Sequence, residues 1–240
     1  MTHPKLDEFV QKLKAAAPDN LKSVVLYGSA TTEEFHTKHS NLNLLCVVDH
    51  ADAKQIEAFH EPVKWWIKQS HRPPLVFTLE ELRRSADVFT IELLDMKTHH
   101  RILFGEDVLT ELSVPMHYHA NQVERELRTD WLRLRQAMMA APKKPSAYLD
   151  LMVSSFSAFV ALFRHALIAM GEPPTVNKRE AIDRAAIFAQ SDPAGFHTIL
   201  DLREGKQKDK DIDVESTLNR YFALVEAVTD AFDRQLEARK

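Results

Sequence analysis

Cysteine is nearly absent: Cys46 is the single one in 240 residues. One thiol excludes an internal disulfide, so stability must come from packing, and a reducing compartment is the expectation. Only 5 glycines and 11 prolines punctuate the chain, which predicts long elements joined by few turns. The net charge of -4 leaves no global field to draw the chain to nucleic acid or to an anionic membrane. No apolar run approaches the ~20 residues that span a bilayer. The opening stretch, MTHPKLDEFVQKLKAAAPDN, is amphipathic and charged and lacks the ~7–15-residue apolar centre of a signal peptide. The expected location is the cytoplasm, with neither a membrane nor nucleic acid as partner. What remains, 45% hydrophobic and 28% charged residues, is ordinary globular composition with room for one large domain or two modest ones.

The first half alternates two periodicities. Phe9, Leu13 and Ala16 fall at helical spacing before Pro18-Asp19-Asn20. Residues 23–27 and 41–48 are short Val- and Leu-rich runs that predict buried strands. Residues 53–69 carry Ile56, Phe59, Val63, Trp66 and Ile67 at helical spacing, and Pro73-Pro74 leads into a third strand at 75–78. Thr78 and Glu81 form a capping-box pattern for a short helix over 80–85. Residues 89–96 and 99–104 are predicted as fourth and fifth strands. Beyond Pro115 only helices are predicted: a stripe through Val123, Leu127, Trp131, Leu134 and Met138, then 148–170, 178–189 and 216–236. The charged span 203–211 is expected to be a solvated loop. The fold class is therefore α+β: an α/β domain with a mixed sheet and flanking helices over 1–113, and an antiparallel helical bundle over 114–240.

The chemistry concentrates in VVLYGSATTEEFHTKHSNLNLLCVVD, residues 24–49. A glycine directly after a buried strand lets backbone N–H groups approach a ligand, and Ser29 adds a hydroxyl suited to a phosphate oxygen. Alternation along the second strand points Asn41 and Asn43 to one face and Leu42, Leu44 and Cys46 to the other. Paired polar side chains there are the layout that holds two divalent metals against a triphosphate. Leu26-Tyr27-Gly28-Ser29 followed by Ser40-Asn41-Leu42-Asn43-Leu44-Leu45 resembles the nucleotidyltransferase superfamily, in its kanamycin- and lincosamide-nucleotidyltransferase-like branch.

That resemblance implies a glycine-serine phosphate turn, two metal-binding acids on the next strand and a third acid on a later one. Here both motif acids are amides, Asn41 and Asn43, and amides bring no charge to a hard cation. Glu92 is the candidate third acid and the one candidate catalytic residue, with Asp95 as the alternative and Asp49 as a neighbour able to help. Glu33-Glu34 in the turn would repel phosphate. Gly28, Ser29, Asn41, Asn43 and Arg164 are the candidate nucleotide contacts, and Asn41, Asn43 and Glu92 the candidate metal set. Lys178 and Arg179 are further candidates for substrate contact.

Two readings follow. One is a catalytically degenerate relative that binds a nucleotide or small molecule in a cleft between the domains. The other is a Mg²⁺-dependent enzyme transferring a nucleoside monophosphate from NTP to a small acceptor. A second copy of the chain or a partner protein, such as the other half of a toxin–antitoxin pair, is a further expected partner. Of the 12 histidines, His36 and His39 precede the asparagines and could contact phosphate. His117 and His119 would bind zinc only from a strand, and no cysteine or acid at a diagnostic spacing supports them.

Overall fold

The computed structural model describes residues 4–31 and 42–239, which divide into two compact units, Met1–Met116 and His117–Lys240. The first unit is built on a four-stranded mixed sheet in the order β3-β2-β1-β4. β1 (Leu21–Tyr27) is central and runs antiparallel to β2 (Asn43–Val48) and to β4 (His100–Gly105), whereas β2 and β3 (Leu75–Thr78) are parallel. Alternation sorts the side chains to two faces. Val24, Leu26, Leu44, Cys46 and Val48 pack with Phe9 and Leu13 of α1 (Pro4–Ala16) and with Trp66 of α3 (His60–Ile67). Val25, Leu45 and Val47 pack instead with Leu82 of α4 (Leu79–Arg84) and with Leu93 and Met96 of α5 (Thr90–Thr98). The sheet is thus covered on both sides.

Three local devices fix this frame. The Asn20 amide donates to the His50 carbonyl at 2.9 Å and accepts from the His50 N–H at 2.8 Å, tying the start of β1 to the end of β2. Gly105 has φ +76, and a β-carbon there would lie 1.7 Å from the Lys22 carbonyl oxygen, so only glycine lets β4 close on β1. Thr78 and Glu81 form the expected capping box at α4, with Glu81 N–H on Thr78 Oγ1 at 3.1 Å and Thr78 N–H on Glu81 Oε2 at 2.8 Å.

Two expectations are corrected. The helix expected over 53–69 is split into α2 (Ala53–Glu57) and α3, because Pro62 has no N–H to continue the ladder and is accommodated in the first turn of a new helix. Residues 89–96, expected as a strand, begin α5. Its buried residues Thr90, Leu93 and Met96 recur every three positions, and a short apolar run fits helix and strand alike until packing decides.

The second unit contains five helices among the described residues: α6 (His119–Ala140), α7 (Pro145–Ala169), α8 (Lys178–Ala189), α9 (Ala194–Arg203) and α10 (Val214–Glu237). α10 packs against each of the other four, and α7 buries ten of its 25 residues, from Leu149 to Leu167. By length and composition alone α7 could cross a membrane, which the sequence reading did not anticipate, and half of that stretch is buried inside the bundle. α9 was not expected from the sequence. After it comes the irregular charged span that was expected, closed by a 3₁₀ turn at Asp209–Asp211.

Candidate functional site

β1 ends at Tyr27, and the chain turns through a 3₁₀ turn over Gly28–Thr31. Gly28 has φ +78, a left-handed conformation costly for any residue with a β-carbon. Its N–H donates to the His99 carbonyl at 3.0 Å, and its own carbonyl accepts from Thr31 Oγ1 at 2.8 Å. The turn is thereby locked to the residue that leads into β4. A β-carbon on Gly28 would lie 3.4 Å from Asn43 Nδ2, so the Asn43 amide stands directly over the turn.

Asn43 opens β2 opposite Tyr27 and is half-buried. Leu42, Leu44 and Cys46 enter the core under α1 and α3, while Leu45 and Val47 enter the other core. Asn43 shares the parity of Leu45 and Val47, so its side chain leaves β2 on the α4–α5 side, where Tyr27 also packs. Burial raises the Tyr27 phenol above its ordinary value, the nearby Glu92 carboxylate raises it further, and the Arg72 guanidinium opposes them. Both charges therefore act on the Tyr27 end of the sheet.

Glu92 belongs to the first turn of helix α5 rather than to a strand, and it is exposed. A carboxylate is favoured there by the positive end of the helix dipole. Asp95 follows one turn along the same helix. Asp49 is removed from the candidate set: it follows the far end of β2, roughly 20 Å of strand from Asn43, and pairs with Lys22 at 2.7 Å. Ser29 lies in the turn, but its side chain, like Glu33, Glu34, His36, His39 and Asn41, lies outside the described residues.

In the second unit, Arg164 sits half-buried on α7 beside His165. His165 is buried and shares a hydrogen bond of 2.9 Å with His119. His119 opens helix α6 instead of lying on a strand, so the strand arrangement considered for His117 and His119 does not arise. Arg179 is committed to an ion pair with Asp201, joining α8 to α9. Burial pushes the Cys46 thiol up to about 12, which makes it a packing residue and not a nucleophile at neutral pH.

Among the described residues no group of three or more His, Cys, Asp or Glu could hold a metal ion. At the Tyr27 end the Asn43 amide offers an oxygen without charge, and hard cations select carboxylates. Arg72 and Tyr27 were not singled out from sequence; Arg72 belongs here through the parallel β2–β3 register, which no local pattern encodes.

A strand–glycine turn–strand frame inside a mixed sheet, with the Asn43 amide over the turn, fits a nucleotidyltransferase-like fold. The chain is similar to the spectinomycin adenyltransferase AAD(9) from Enterococcus faecialis, solved with ATP and spectinomycin. The TM-score is 0.57 at 14% identity, covering 94% of this chain and 100% of that one. No family model matches the chain. No curated protein matches it either.

Proposed function

We propose that this chain binds a nucleotide at the Gly28 turn on a nucleotidyltransferase frame whose transfer chemistry is degenerate. The observation that carries the reading is the Asn43 amide over Gly28, where the resemblance calls for a metal-binding acid. Gly28 leaves no β-carbon between a ligand and the backbone, and the Asn43 amide offers hydrogen bonds in place of charge. The ATP-bound adenyltransferase of like fold lends support at the level of the frame. In this reading the protein is cytoplasmic and handles a small molecule.

The test is calorimetric titration of ATP and GTP with and without Mg²⁺, on the wild type, Ser29→Ala and the double variant Asn41→Asp/Asn43→Asp. Nucleotide binding by the wild type that weakens in Ser29→Ala, with no detectable nucleotidyl transfer, is the expected result. Metal-dependent affinity gained by the double variant would show a frame that lost its acids. Turnover of Mg-NTP by the wild type with a small acceptor would replace this reading by the active transferase, with Mg²⁺ as its cofactor. Absence of nucleotide binding at millimolar concentration would sink both.

A further inference from the structure

The residue leading into β3 is held in place from both sides. Before it, His71 stacks on the buried Trp66 ring at 4.0 Å between centroids. After it, Pro73-Pro74 restricts the backbone, and a residue preceding proline is itself driven to extended conformations. β3 runs parallel to β2 with Leu75 opposite Leu45, so Arg72 enters the sheet at the level where β2 begins, at Asn43. Asn43 in turn lies opposite Tyr27 and over Gly28. Arg72 is exposed and ion-paired with no described residue; Glu92, whose charge acts on the same tyrosine, is exposed and likewise unpaired.

The charge balance at this end lacks the net negative charge that a divalent metal requires. Counted together with Arg72, a three-acid pattern would carry -3 + 1 = -2. With amides at 41 and 43, Glu92 and Arg72 leave -1 + 1 = 0. Amide and phenol donors at the end of the sheet where Arg72 enters suit a multivalent oxyanion, which a guanidinium binds through parallel N–H donors.

We propose that the Asn43 end of the sheet binds an anion without a divalent metal, that the Arg72 guanidinium supplies the positive charge, and that the ligand is a nucleotide polyphosphate. The choice of a nucleotide rests on the reading given above; the anion site does not. The proposal makes Arg72 a binding residue and changes the expected role of Mg²⁺ from requirement to competitor for the phosphates.

The experiment titrates tripolyphosphate and ATP, each in EDTA, into the wild type, Arg72→Gln, Arg72→Lys and the exposed surface control Arg125→Gln on α6. Circular dichroism confirms that each variant is folded. Expected is binding of both ligands in EDTA, weakened about tenfold or more by Arg72→Gln. The loss should be partly restored in Arg72→Lys and absent in Arg125→Gln, and the salt dependence should be shallower in Arg72→Gln. Binding of tripolyphosphate that needs Arg72, with ATP no tighter, would uphold the anion site and remove the nucleotide. ATP binding unchanged in Arg72→Gln, or present only with Mg²⁺, would overturn the proposal while leaving nucleotide binding intact. Binding of neither ligand would overturn both.

Discussion

Two glycines with nearly the same backbone conformation do different work, and what a β-carbon would meet separates them. At Gly28 the nearest atom is the end of the Asn43 side chain at 3.4 Å, ordinary contact that a side chain can relax, so alanine suffers chiefly from the positive φ. That cost is roughly 1–2 kcal/mol. At Gly105 the nearest atom is the Lys22 carbonyl oxygen at 1.7 Å, and the β1–β4 ladder has to open. Denaturant unfolding should therefore show Gly105→Ala losing clearly more stability than Gly28→Ala, while Gly28→Ala loses more ligand affinity. Equal losses would mean that β4 is held less rigidly than its register implies. The sequence pattern puts Gly28 at the turn and Asn43 at the start of β2, whereas Glu92 was named from an expected strand that is helix α5. Arg72 was not named, because its place depends on which strand β3 pairs with and in which direction.

At the scale of the element, the legible parts are those with a local physical signature. The capping box at Thr78–Glu81, the alternation along β2 and the apolar stripes of α6 and α10 each follow from periodicity or from a side chain reaching its own backbone. The misread parts are those where packing arbitrates. α5 carries Thr90 and Ile91, which favour strands, yet burying Thr90, Leu93 and Met96 together requires a helix. α9 was missed; Pro193 and Gly195 at its start are residue types that interrupt a helical pattern. Pro193 instead caps the helix, and Gly195 lies where α9 meets α10: a β-carbon there would come within 2.5 Å of the Tyr221 backbone nitrogen and 2.9 Å of the Thr217 carbonyl oxygen. Its backbone is helical, so the glycine answers to space and not to φ. Gly195→Ala should improve helix propensity and still destabilise the protein by roughly 2–3 kcal/mol, since two backbones have to separate. Thermal unfolding followed at 222 nm checks it, and a neutral or stabilising result would show that the two helices are not in backbone contact.

For the molecule as a whole, buried ionisable groups set the pH range of stability from both sides. Burial, reinforced by the neighbouring His165, lowers His119 from 6.5 to about 4. Between those values the unfolded chain carries a proton on this imidazole that the folded chain excludes, so stability falls as pH drops through the window. The full effect is on the order of 3 kcal/mol. On the alkaline side, burial raises Cys46 from 9.0 to about 12. It also raises Tyr221, against the opposing effects of its hydrogen bond with Ser155 and of the Arg203 charge. Here the folded chain keeps protons that the unfolded chain releases, so stability falls as pH climbs above about 9. A plateau should therefore span roughly pH 6.5 to 9. Urea unfolding at pH 4.5, 5.5, 7.5 and 10 would trace it. His119→Gln removes the titrating group while keeping a polar side chain, so it should lower stability at pH 7.5 and flatten the acid limb relative to the wild type. The alkaline limb should be unchanged, because Cys46 and Tyr221 remain. An acid limb equally steep in His119→Gln would assign acid unfolding to surface carboxylates and would leave the buried imidazole pair a packing contact without a role in the pH response.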